Sequence, residues 1–175
     1  MTVHALLMLL ALTAGQAAQP APATTVVIVR HAEAVAGAGS DPVLSDAGTA
    51  RAAALAQALK DAGVQAVMTT QYQRTSLTGQ AVASSTGATL VKDTIAGGAA
   101  GLDAYVQKVV KAVQGHSTGG VILVVGHSNT VPALVKGLSG ADVGEIAHDS
   151  YDNMFIVTVT GPGAGTVVRA RYGAR

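Results

Sequence analysis

Cysteine is missing from all 175 residues. Disulfide frameworks, thiolate nucleophiles, zinc–thiolate centres and a cysteine lipid anchor are thereby excluded. Tryptophan is also missing, phenylalanine occurs once, and aromatics total 3%, so the core must be assembled from Ala, Val, Leu and Ile. Charge of either sign is sparse: 11 Lys and Arg against 10 Asp and Glu leave a net charge of +1. A dedicated nucleic-acid binder carries a basic excess that is lacking here, so no nucleic-acid partner is expected. Apolar residues, by contrast, are plentiful. At 49% hydrophobic and 12% charged, the composition excludes a disordered or fibrous chain and suits one globular domain with a sizeable core.

No charged residue precedes Arg30. Residues 5–14 form an apolar run of ten, too short to cross a bilayer as a helix. The small residues Gly15-Gln16-Ala17-Ala18 follow. This pattern predicts a signal peptide over 1–18 and a Pro-containing extended linker over 19–24. The domain proper then occupies 25–175, in a periplasmic or secreted protein with no membrane association after cleavage.

Thr24 to Val29 and Val121 to Val125 are β-branched or aliphatic runs without alternation, as expected for strands buried on both faces. Val64 to Thr69 and Thr89 to Val91 predict shorter strands. Helices are predicted from Ser45, which can cap, to about Ala62, then over Gln73 to Ser84, Leu102 to Gln114 and Val131 to Leu138. Met154 to Thr160 and Thr166 to Tyr172 flank the five residues Gly161 to Gly165 and predict a hairpin. Alternating strands and helices imply an α/β fold, a three-layer α/β/α sandwich around a mainly parallel sheet, with a C-terminal β-hairpin. Ligands of such sheets collect at the carboxyl ends of the strands.

The chemistry-bearing residues fall at those ends. Arg30-His31-Ala32-Glu33 follows the first strand, Gly126-His127-Ser128-Asn129 follows VILVV, and Arg74 follows the Val64 strand. Two imidazoles and two guanidiniums converging on one edge make an anion site, because the arginine fork matches phosphate oxygens. Helix N-termini after Ser45 and Asn129 are expected to add positive dipole ends. A neutral imidazole among these cations can attack phosphorus.

With these segments the sequence resembles the histidine phosphatase superfamily, also called phosphoglycerate mutase-like. Arg30-His31-Ala32-Glu33 matches its RHG/RHxE signature. Leu44-Ser45-Asp46-Ala47-Gly48 looks like its LTxxG segment, Thr69-Thr70 through Arg74-Thr75 like its SSxxxRAxQT segment, and Val125-Gly126-His127-Ser128 like its VGHS segment. The resemblance implies that His31 is the phosphorylated nucleophile, that Arg30 and Arg74 bind phosphoryl oxygens, and that His127 does so from the opposite side. Ser128 and Glu33 would help to hold the pocket. It implies no metal and no other cofactor.

The sequence departs from the larger family members in the general acid, since Thr75 to Gly126 contains no Glu. Its acids are Asp93 and Asp103. Asp93, after a short strand, is the first candidate acid; Asp152 and water are the others. Asp103 reads more simply as a favourable charge at a helix start. His116 and His148 sit in polar stretches and are expected at the surface. The expected function is a metal-independent phosphatase of phosphorylated small molecules or phosphoproteins. It would have a mildly acidic to neutral optimum, with His31 neutral and His127 charged. Two other readings stay open. One is a non-catalytic phosphate- or phosphoprotein-binding module of the same fold. The other is a metallohydrolase using His31, Glu33 and His127, which the neighbouring arginines disfavour because they repel a cation.

Overall fold

The chain enters its sheet through β1 (Thr24–Arg30) in the computed structural model, which describes residues 23–116 and 119–174. The expected signal peptide and most of the expected linker lie outside the described residues. Thr24 opens β1, as the TTVVIV run predicts. There follow α1 (Asp46–Leu59), β2 (Val64–Thr70), α2 (Gln73–Thr86), β3 (Thr89–Asp93), α3 (Gly98–Gln114) and β4 (Val121–Gly126). The remaining elements are α4 (Thr130–Ser139), β5 (Asn153–Gly161) and β6 (Ala164–Arg171).

The strands make one sheet in the order β3-β2-β4-β1-β5-β6. β3, β2, β4 and β1 run parallel, β5 is antiparallel to β1, and β6 is antiparallel to β5. This is the expected α/β fold with its C-terminal hairpin. The absence of alternation in β1 has a simple cause, because both faces are covered. Val26 and Ile28 pack with α3 and α4, through residues such as Val109 and Leu134. Val27 and Val29 pack with α1 and α2, through Leu55, Leu59 and Val82. With so few aromatics, stability comes from many aliphatic side chains, each contributing about 1.5–3 kcal/mol when wholly buried.

Two boundaries differ from expectation. The hairpin loop is two residues, Pro162 and Gly163, rather than five, because Gly163 takes the left-handed backbone (φ 63°) that lets the ladder continue to Gly161 and Ala164. Helix α3 starts at Gly98, ahead of its first apolar anchor, so Asp103 lies past the first turn and does not serve as a charge at the helix start. Among the described residues no helix is long and apolar enough to cross a membrane.

Candidate active site

Because β1, β4 and β2 are parallel neighbours, their carboxyl ends share one edge. Arg30 pairs with Gly126 in the ladder, and the backbone N–H of His31 donates to the Gly126 carbonyl at 2.9 Å. That register sets His31 beside His127, with ring centroids 5.3 Å apart. Glycine precedes His127 for a steric reason: a Cβ on Gly126 would lie 2.4 Å from Thr130 Oγ1. That hydroxyl accepts from the His127 backbone N–H at 2.7 Å and fixes the turn into α4.

His31 is buried, 7% exposed. Its Nδ1 lies 2.8 Å from the Ala32 carbonyl oxygen, which can only accept, so Nδ1 carries the proton and Nε2 the lone pair. Burial, reinforced by Arg30 and Arg74, lowers the His31 pKa to about 4. His127 places its Nε2 3.0 Å from Thr70 Oγ1, which also contacts Thr75 Oγ1 at 2.8 Å. Burial first, then His31, Arg74 and Arg30, lower its pKa to about 3. In the free cleft both imidazoles are therefore neutral, where a charged His127 was expected near neutral pH.

A titration follows from these directions. In nuclear magnetic resonance spectra, neither ring is expected to protonate between pH 8 and 5.5. A midpoint near 6.5 for either would contradict the desolvated site. Both folded-state values lie below the unfolded one, so their contribution to stability is present above about pH 6.5. It is lost as pH falls through the window toward 4, because the unfolded chain binds protons that the site refuses.

Arg30 stacks its guanidinium on Tyr151, 4.0 Å from the ring centroid. Its Nη1 donates to the carbonyls of Ala147 (3.0 Å), His148 (2.7 Å) and Ser150 (3.3 Å). Its Nε is buried with no partner among the described residues. Arg74 stacks on Tyr72 at 4.4 Å and donates to the Ser40 carbonyl at 3.4 Å. Each arginine of the edge thus rests on a tyrosine, and each also holds a loop.

These residues line a cleft of about 930 Å³. His31, His127, Arg30, Arg74 and Ser128 all face it. Among the described residues, no Asp or Glu does. The other site residues read from the sequence are placed elsewhere. Glu33 is gripped by Arg51, whose Nε lies 2.9 Å from each carboxylate oxygen. Burial works upward on this carboxyl, but the Arg51 hydrogen bond and charge carry it below the usual range. Arg51 also holds the carbonyls of Tyr172 and Ala174, so Glu33 belongs to a tie between the β1 loop, α1 and the C-terminal segment. That tie takes Glu33 away from any metal trio with His31 and His127. Asp93 is ion-paired with Lys108 at 2.7 Å and accepts from the Thr94 backbone N–H, which removes it from the cleft as an acid. Asp152 pairs with Arg171 of β6 at 2.6 Å, and that bond lowers its pKa; it too is turned from the cleft. Of the two helix N-termini expected, the start of α4 lines the cleft. Ser45 at α1 is occupied by the Gly48 N–H and does not line it. The N-terminus of α2 takes its place, with Gln73 N–H capped by Asp41 at 2.8 Å.

The sequence reading missed Tyr72, Tyr151, His148, Thr70 and Asp41. Tyr151 and His148 reach the cleft because β5 is antiparallel: it begins at the edge where the parallel strands end, and carries its preceding loop there.

Two paired histidines and two stacked arginines at the carboxyl edge of the parallel strands give this α/β protein a cleft suited to an anion. The family model of the histidine phosphatase superfamily (branch 1) matches residues 26–95, which contain the Arg30-His31 and Arg74 segments. Over those residues the chain is similar to that superfamily. Among solved structures it is similar to the protein histidine phosphatase SixA, solved with tungstate, at 20% identity and TM-score 0.68, covering 85% of this chain and 97% of that one. A protein assigned as the phosphohistidine phosphatase SixA of Nakamurella multipartitia is 25% identical, with TM-score 0.64, over 89% of this chain and 100% of that one. A mycobacterial glucosyl-3-phosphoglycerate phosphatase shares the fold at 15% identity and TM-score 0.62, over 87% of this chain and 100% of that one. No curated protein matches the sequence significantly.

Proposed function

We propose that the protein is a phosphatase that hydrolyses phosphomonoesters or phosphorylated side chains through a phosphohistidine at His31, without a metal. One observation carries this reading: the Nδ1–Ala32 contact leaves a neutral Nε2 lone pair in a pocket that also holds Arg30, Arg74 and His127. The similarity of residues 26–95 to the superfamily and the names of the similar structures support it.

The chemistry follows from the groups present. The phosphoryl dianion is drawn in by Arg30, Arg74 and the N-terminus of α4. Its charge, placed between the rings, raises the pKa of His127 and favours the protonated form, which then donates to a phosphoryl oxygen. His31 Nε2 attacks in line as the bond to the leaving oxygen breaks, while the guanidiniums stabilise the equatorial oxygens. Water then attacks phosphorus, and the P–N bond returns its electron pair to His31. The partner is a phosphorylated small molecule or a phosphoprotein. On the pattern of residues 1–18, the protein acts in the periplasm or outside the cell.

The test is hydrolysis of an aryl phosphate by the chain starting at Gln19. Turnover is expected to be unchanged within twofold by EDTA. Loss of turnover in EDTA would move the reading to a metal enzyme. Phosphate binding without turnover from pH 5 to 8 would move it to a binding module.

A further inference from the structure

The leaving group of a phosphomonoester departs with an electron pair and needs a proton. The cleft offers no carboxylic acid for this. The nearby carboxylates are engaged elsewhere: Glu33 with Arg51, Asp93 with Lys108, Asp152 with Arg171, and Asp41 with the first N–H of α2. Asp149 is exposed and does not line the cleft. The cleft does hold a third histidine. His148 lines it from the irregular segment between α4 and β5. Its own carbonyl accepts from Arg30 Nη1 at 2.7 Å, with Ala147 and Ser150 held by the same nitrogen. The backbone of His148 is therefore fixed to the very side chain that would grip the phosphoryl group, while its ring stands in solvent.

We propose that His148 is the proton donor to the leaving group and, in the second half-reaction, the base that activates water; this rests on the phosphatase reading above. The titratable and charged groups sharing the cleft are Arg30 and His31 at the end of β1, Tyr72 and Arg74 at α2, His127 after β4, and Tyr151 beside it in the chain, where Asp149 also adjoins it. His31 and His127 are desolvated, and both are used on the phosphoryl group, one as nucleophile and the other as donor to its oxygen. His148, by contrast, is exposed.

The proton balance closes. As His31 Nε2 bonds to phosphorus, the P–O bond breaks and its pair goes to the leaving oxygen, which takes a proton from the His148 imidazolium. Neutral His148 then removes a proton from the attacking water as the P–N bond breaks. Phosphate leaves, His31 regains its lone pair, and His148 is again charged.

The test compares two leaving groups in one variant, so that a folding defect cancels. Phenolate is basic, with a conjugate-acid pKa of about 10. Nitrophenolate is far less basic and leaves with little help. His148→Gln is expected to lower kcat/KM, which reports only phosphoryl transfer to His31, by about 10²-fold or more for phenyl phosphate and by no more than about threefold for p-nitrophenyl phosphate. Equal losses of kcat/KM on the two substrates, or no loss on either, would overturn the assignment. A wild-type protein inactive on both would instead overturn the phosphatase reading itself, and the donor role with it.

Discussion

His31→Ala is expected to lower hydrolysis of an aryl phosphate by on the order of 10⁴-fold or more, which is about 5.5 kcal/mol of barrier. The size follows from the role. Arg30, Arg74 and His127 would still bind the phosphoryl group, but nothing in the cleft would offer a lone pair at the position of Nε2. Added substrate would not restore the rate, because binding is kept while the bond-forming atom is lost. The variant should stay folded, since among the described residues the ring makes a single hydrogen bond, to the adjacent Ala32 carbonyl. It should also gain stability at low pH relative to the wild type, because one group that refuses protons in the folded state is gone. Activity and thermal unfolding measured on the same sample separate these effects. A residual rate within tenfold of wild type would remove His31 from the chemistry.

The second large effect is on folding. Gly48 lies in the first turn of α1, where its N–H bonds to Ser45 Oγ at 3.1 Å. A Cβ there would sit 2.0 Å from the carbonyl oxygen of Glu33, and 2.9 and 3.0 Å from the backbone C and N of that residue. Backbone cannot swing aside as a side chain can. The Glu33 carbonyl also accepts the Ser45 N–H at 3.0 Å, and its carboxylate is tied to Arg51. Gly48→Ala is therefore expected to cost about 3 kcal/mol or more. In a domain of this size that lowers Tm by roughly 6–12 °C. Glu33 is two residues from His31, so activity should fall further than the loss of folded protein explains. Differential scanning calorimetry is the check, and a Tm within 2 °C of wild type would mean that the β1 loop and α1 are not packed this closely.

Much of the frame was legible because parallel strands covered on both faces leave a strong mark. TTVVIV and VILVV could hardly be anything else, and the first polar residues after them, His31 and His127, had to fall at the ligand edge. Arg74 followed from the same logic applied to β2. What could not be read was set by contacts between segments far apart in the chain. Glu33 looked like a site residue because it stands two positions from His31; its partner Arg51 lies a helix away. Asp93 stands at a strand end like the histidines, but at the edge strand β3, and α3 supplies Lys108 to neutralise it. The segment before β5 has no periodicity, so His148 read as a surface residue. Its place depends on β5 joining β1 antiparallel, and the hairpin pattern alone did not fix which strand it would join. One cue was available. In a chain with four tyrosines, Tyr72 stands two residues before Arg74, and stacking on that guanidinium was a reasonable use for it.

The most direct test of the account is to trap the intermediate. The chain from Gln19 would be mixed with an aryl [³²P]phosphate, quenched in base within the first turnovers, digested, and mapped by mass spectrometry. The account predicts a phosphoryl group stable to base and labile to acid on the peptide containing His31, absent from His31→Ala. Turnover with no phosphoryl group at His31, or with the label on another residue, would contradict it.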